Sequence, residues 1–104
     1  MSAKDIATHA LSGALSVNAV PHVVSGLLGR RFTTPFASPP GRGLSSPTVN
    51  AAWGMANAIV AIRLFNPGED QAKHAAYVAG AVATGLVLST VFGRAGADGR
   101  QAVA

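Results

Sequence analysis

Three apolar stretches, broken twice by polar and proline-bearing sequence, set the rhythm of this chain. Residues 6–28, IATHALSGALSVNAVPHVVSGLL, run for 23 positions without Asp, Glu, Lys or Arg. At about 1.5 Å per residue, a helix of that length crosses a hydrocarbon layer of roughly 30 Å. Ser2, with Asp5 three positions on, has the form of a capping box and predicts a helix start there. Pro21 removes one donor and crowds the Val17 carbonyl, which predicts a kink, with the helix continuing through VVSGLL. The second stretch, residues 48–65, TVNAAWGMANAIVAIRLF, opens behind Ser46 as N-cap and Pro47 in the first turn, and stops at Asn66-Pro67-Gly68. Its one charge, Arg63, sits in the last turn, where a long stem reaches the interface. The third, residues 74–92, is 19 positions free of formal charge, with Asp70 as N-cap and Gly93 as stop. Residues 93–104 read as a small, polar, frayed tail.

The expected fold is all-α and a single domain over residues 1–104. It is a small polytopic membrane protein with three transmembrane helices, about 6–28, 48–65 and 74–92, and a long Pro/Gly/Arg-rich loop, 29–47, between the first and second. Small and polar residues at helical spacing predict the contact faces, because helices in lipid associate through close approach and interhelical hydrogen bonds. Asn50, Gly54, Asn57 and Ala61 form one such face; Ala76, Gly80 and Thr84 form another; Thr8, Ser12 and Ser16 a third. Asn50 and Asn57 are read as interhelical glue rather than as the lining of a pore, since three short helices enclose no channel alone. Trp53 fits either an interfacial aromatic position or the inside of the bundle.

Composition sharpens this. Charged residues make up 12% of the chain, against about 25% in ordinary soluble domains, too few to coat a soluble surface. A secretory signal at residues 4–19 is the weaker reading, because His9, Ser12 and Gly13 interrupt the apolar run. The net charge of +4 comes from clusters at segment ends. That suits anionic headgroups and not nucleic acid, which asks for a basic stripe along one face. Arg30, Arg31, Arg42, Arg94 and Arg100 fall on one side of the expected topology, and Lys4, Arg63 and Lys73 on the other. The bias places the central loop and C-terminus in the cytoplasm of a cell whose inner membrane holds the protein. Arg30, Arg31 and Arg42 are the candidate contacts to lipid headgroups or to an acidic partner surface.

Catalytic chemistry finds no foothold. The chain has no cysteine, and no acid, base and nucleophile fall at a spacing that brings them together. His9 and His74 lie toward the same expected end and His22 toward the other, so no catalytic, cofactor or metal site is expected and the histidines read as satisfied or interfacial. Gly41-Arg42-Gly43 reads as a tight turn before it reads as a phosphate cradle.

Residues 21–54, PHVVSGLLGRRFTTPFASPPGRGLSSPTVNAAWG, resemble the core of a family of short bacterial inner-membrane proteins. The strings TPFASPPG and GLSSP are the distinctive part, over about a third of the chain. The resemblance implies fold class and location and carries no catalytic residue. The Ala, Gly and Arg bias looks actinobacterial, a setting in which a small subunit of a mycobacterial-type lipid importer is one expectation. The function expected from all of this is a non-enzymatic accessory subunit of a larger membrane complex, a lipid transporter foremost. The alternative is an autonomous homo-oligomer that moves a small solute or binds anionic lipid.

Overall fold

The computed structural model describes residues 2–103, with side chains given as far as Arg94. Those residues form three helices, α1 (Ala3–Leu27), α2 (Pro47–Leu64) and α3 (Gln71–Val103). Each start follows from local chemistry. Ser2 Oγ accepts from the Asp5 N–H and the Asp5 carboxylate accepts from the Ser2 N–H, both at 3.1 Å, which completes a capping box. Ser46 Oγ accepts from the Val49 N–H at 3.1 Å, with Pro47 in the first helical position. Asp70 Oδ1 takes the Ala72 N–H at 2.9 Å ahead of α3.

α1 is the middle element. α2 runs back along it, so that Gly26 faces Ala51, Asn18 faces Asn57 and Ser12 faces Ala61. α3 runs parallel to α1, with Gly80 beside Ala10, Gly85 beside Val17 and Phe92 beside His22. Among the described residues, α2 and α3 pack on α1 and not on each other. Glycine makes the approach possible: a Cβ on Gly80 would lie 2.7 Å from the Ala10 carbonyl carbon, and one on Gly54 would lie 2.7 Å from the Val23 nitrogen.

The interior is polar and the exterior apolar, the reverse of a water-soluble domain. The buried apolar side chains are alanines, Ala19, Ala37, Ala61 and Ala76, whereas His9, Ser12, His22, Thr33, Thr34, Asn50 and Asn57 are buried with them. The large aliphatic residues point outward on every helix, Leu27, Ile62 and Leu86 among them. Two segments are long and apolar enough to cross a membrane, Ala3–Leu27 and Gln71–Arg94.

The expectation of three transmembrane helices with a long free loop is corrected on two points. α2 is not apolar enough to count as a membrane span; Asn50, Asn57 and Arg63, with Pro47 and Thr48 at its start, dilute an 18-residue helix below that mark. The segment between α1 and α2 is not an open Pro/Gly/Arg-rich loop either. Phe32 and Ser45 pair across its neck, Phe32 N–H to Ser45 O at 3.3 Å and Ser45 N–H to Phe32 O at 2.8 Å, and close it into a folded cap. Inside the cap the Thr34 carbonyl accepts from the Ala37 and Gly41 N–H groups, and Gly41 supplies the left-handed turn, φ 72°, that brings the chain back. One helix end also differs from expectation. α1 continues past Pro21 to Leu27, as the sequence predicts, whereas α3 passes Gly93 and continues to Val103. A single glycine weakens a helix by about 1 kcal/mol without stopping it. The tail's side chains beyond Arg94 lie outside the described residues.

Candidate functional site

Asn50 joins the cap to the helices. It is fully buried, and its Nδ2 faces three carbonyl oxygens, Phe32 at 2.9 Å, Ser46 at 3.1 Å and Ser45 at 3.3 Å. Only an amide nitrogen fits among three acceptors, so Oδ1 must be the atom turned to His22 Nδ1, 2.8 Å away. His22 Nδ1 therefore carries the proton and donates it. In the neutral ring this leaves an unshared pair on Nε2, which makes no hydrogen bond among the described residues. The edges of Phe32 and Phe92 close on the imidazole, at 5.5 and 6.0 Å between ring centres, so cap, α1 and α3 meet at His22.

The same reasoning orients the next pair. Asn57 Nδ2 donates to the Trp53 carbonyl at 2.8 Å, which turns its Oδ1 toward Asn18 Nδ2, 3.0 Å away. Asn18 is left with an uncommitted Oδ1. It stands one turn before His22 and on the same face of α1.

Asn18 and His22 border a pocket of about 370 Å³, with Thr33 of the cap, Trp53 of α2 and Phe92 of α3. Two polar groups there are orphans: Thr33 Oγ1 and Trp53 Nε1 are buried without any hydrogen-bond partner. Both atoms are closed off, at a cost of about 1–3 kcal/mol for a buried donor without a partner. The two uncommitted acceptors, His22 Nε2 and Asn18 Oδ1, are not closed off in this way and belong to residues that line the pocket. The remaining wall is apolar, with Leu88 and Val91 on the outward side of α3, so the pocket adjoins the surface that α3 exposes. Among the described residues no Asp, Glu, Lys or Arg borders it.

The opposite end of the bundle is built to hold, not to bind. His9 Nδ1 donates to the Asp5 carbonyl at 2.8 Å and Nε2 accepts from the Asn66 N–H at 3.1 Å, so both nitrogens are committed. The Phe65 ring stands between His9 and His74, 6.3 Å from each, and packs on Tyr77 at 4.9 Å. Among the described residues no three His, Asp or Glu side chains converge as a metal site would need.

Of the residues singled out from sequence, Asn50, Gly54 and Asn57 lie buried on the α2 face toward α1. Gly80 lies against Ala10, and Thr84 is half-buried on α3. Asn50 reaches the cap neck and His22 as well as its own helix. Arg30, Arg31 and Arg42 are exposed at the cap end, outside the pocket. Asn18, His22 and Thr33 were not foreseen as a group. Their available signals were the i, i+4 spacing of Asn18 and His22 and the threonine pair of FTTPF.

The molecule is thus a three-helix fold, two of its helices long and apolar enough to cross a membrane, with a capped pocket at one end. No family model, curated protein or solved structure matches the chain.

Proposed function

We propose that this is a membrane-embedded, non-enzymatic binding protein that holds a neutral, lipid-soluble molecule in the pocket under the cap. The observation that carries the reading is a pair of uncommitted acceptors, His22 Nε2 and Asn18 Oδ1, on residues that line a pocket with no charged side chain among the described residues, beside an apolar surface. Such a pocket discriminates against ions, which lose hydration with nothing to replace it, and favours molecules that arrive from the lipid phase. In this proposal Ala3–Leu27 and Gln71–Arg94 lie in the bilayer of a bacterial inner membrane. The cap end carries Arg30, Arg31, Arg42 and Arg94 and faces the cytoplasm, where those arginines meet anionic headgroups. Native mass spectrometry of protein released gently from membranes tests the binding reading. A neutral lipid retained one to one supports it, and protein that is bare and unaffected by any added neutral lipid refutes it.

A second reading, an accessory subunit of a larger membrane complex such as a lipid transporter, is favoured by α2. That helix falls short of a membrane span, yet exposes Met55, Ile59, Val60 and Ile62. A protein partner covers such a face better than lipid covers the whole helix. Other polypeptides co-purifying in fixed ratio support it; a single species throughout argues for the autonomous form.

A further inference from the structure

The walls of the pocket narrow the ligand further, an inference that rests on the binding reading above. Three of its lining residues carry flat aromatic rings: His22, Trp53 and Phe92. Walls of this kind accept a flat guest, because aromatic rings prefer offset or edge-on aromatic neighbours. A cavity of about 150 Å³ holds one benzene, so about 370 Å³ admits a substituted six-membered ring and the first carbons of a chain. The uncommitted polar atoms of the lining residues are acceptors, His22 Nε2 and Asn18 Oδ1, and they call for a hydroxyl donor, whereas Thr33 Oγ1 and Trp53 Nε1 are closed off. A phenolic hydroxyl on a flat ring supplies that donor. Leu88 and Val91 leave an apolar side along which an alkyl tail would run to the exposed face of α3.

We propose that the pocket binds the head of an alkyl- or prenyl-substituted phenol or hydroquinone, its hydroxyl donating to His22 Nε2. Binding is the whole of the proposal; no electron transfer is attached to it.

Trp53 is the chain's one tryptophan, so its fluorescence reports directly on the pocket. The probe is 2-decyl-1,4-hydroquinone, titrated into the full chain in phosphatidylcholine nanodiscs, with its dimethyl ether and monoolein as comparisons. The expected result is a saturable change in Trp53 emission, at least ten-fold weaker affinity for the ether, and no displacement by equimolar monoolein. Thr33→Val, which removes an orphaned hydroxyl closed off from the pocket at nearly constant shape, should leave affinity within about two-fold of the parent and the melting temperature unchanged or raised. An ether that binds as tightly as the hydroquinone overturns the ring-hydroxyl assignment. Monoolein that competes on equal terms overturns it too, but leaves a neutral-lipid pocket standing. A response that never saturates with any of the three removes both the assignment and the reading beneath it.

Discussion

Replacing Gly80 by Ala tests the α1–α3 crossing, because two effects of opposite sign compete there and their sizes are known. In a helix interior Ala is favoured over Gly by about 1 kcal/mol. At Gly80 the added Cβ would sit 2.7 Å from the Ala10 carbonyl carbon and 2.8 Å from its Cα, against an ordinary separation of about 3.5–4.0 Å. The obstacle is main chain and does not rotate away. The helices must part by roughly 1 Å, which also loosens Gly13, where a Cβ would lie 2.9 Å from the Ala81 nitrogen. Overpacking of this kind costs about 1–3 kcal/mol, so the net effect is a loss of up to about 2 kcal/mol, and Gly80→Leu should detach α3 altogether. Gly93→Ala is the control: nothing lies within 4 Å of its Cβ position, so propensity alone acts and helicity should rise. The chain has no cysteine, so a Val17→Cys, Gly85→Cys pair, with 3.7 Å from a Gly85 Cβ to Val17 Cγ1, reads the crossing by its rate of disulfide formation in micelles. Bridging should slow several-fold with Gly80→Ala and at least ten-fold with Gly80→Leu. Gly80→Ala behaving like Gly93→Ala would refute the close crossing.

Three more outcomes follow from the same contacts. Asn50→Leu strands the His22 N–H, at about 1–3 kcal/mol, and takes from the Phe32 carbonyl one of its two donors, leaving the Ser45 N–H; trypsin cleavage after Arg42 should accelerate relative to the parent while cleavage after Arg63 changes less. Ser12→Ala removes the 2.7 Å bond from Ser12 Oγ to the Ala61 carbonyl; within a bilayer-type interior this is worth about 0.6 kcal/mol, a small and measurable drop in the midpoint of detergent unfolding. A reporter fused at Ala104 should read cytoplasmic, and joint replacement of Arg30, Arg31 and Arg42 by Gln should produce a mixed orientation and weaken retention on phosphatidylglycerol vesicles at low salt.

The helix starts were legible in the sequence because capping is chemistry between residues three positions apart, as at Ser2 with Asp5 and Ser46 with Val49. The contact faces carried a readable signal too, since Asn50, Gly54 and Asn57 recur at helical spacing. The folded cap was not legible. Its neck is tied by Asn50 to the Phe32 carbonyl, and His22 finds Asn50 from another helix, 28 positions away. Pairings at that separation leave no periodic trace. Proline and glycine between two apolar runs suggest a loop and say nothing of whether it folds back on a buried amide. Phe32, inside that stretch, packs on His22 and Phe92, contacts that nothing in the local sequence announces. α2 misled for a related reason. It exposes Met55, Ile59, Val60 and Ile62, while two of the polar residues that disqualify it, Asn50 and Asn57, are buried toward α1.

That α2 and α3, among the described residues, each find their helix partner in α1 and not in each other has a consequence for biogenesis. α1 leaves the ribosome ahead of its two companions and already displays the helix surface that each of them packs on. α2 and the cap can therefore dock as soon as they emerge, without waiting for α3, and α3 then finds a template already in place. A chain ordered this way assembles by successive addition.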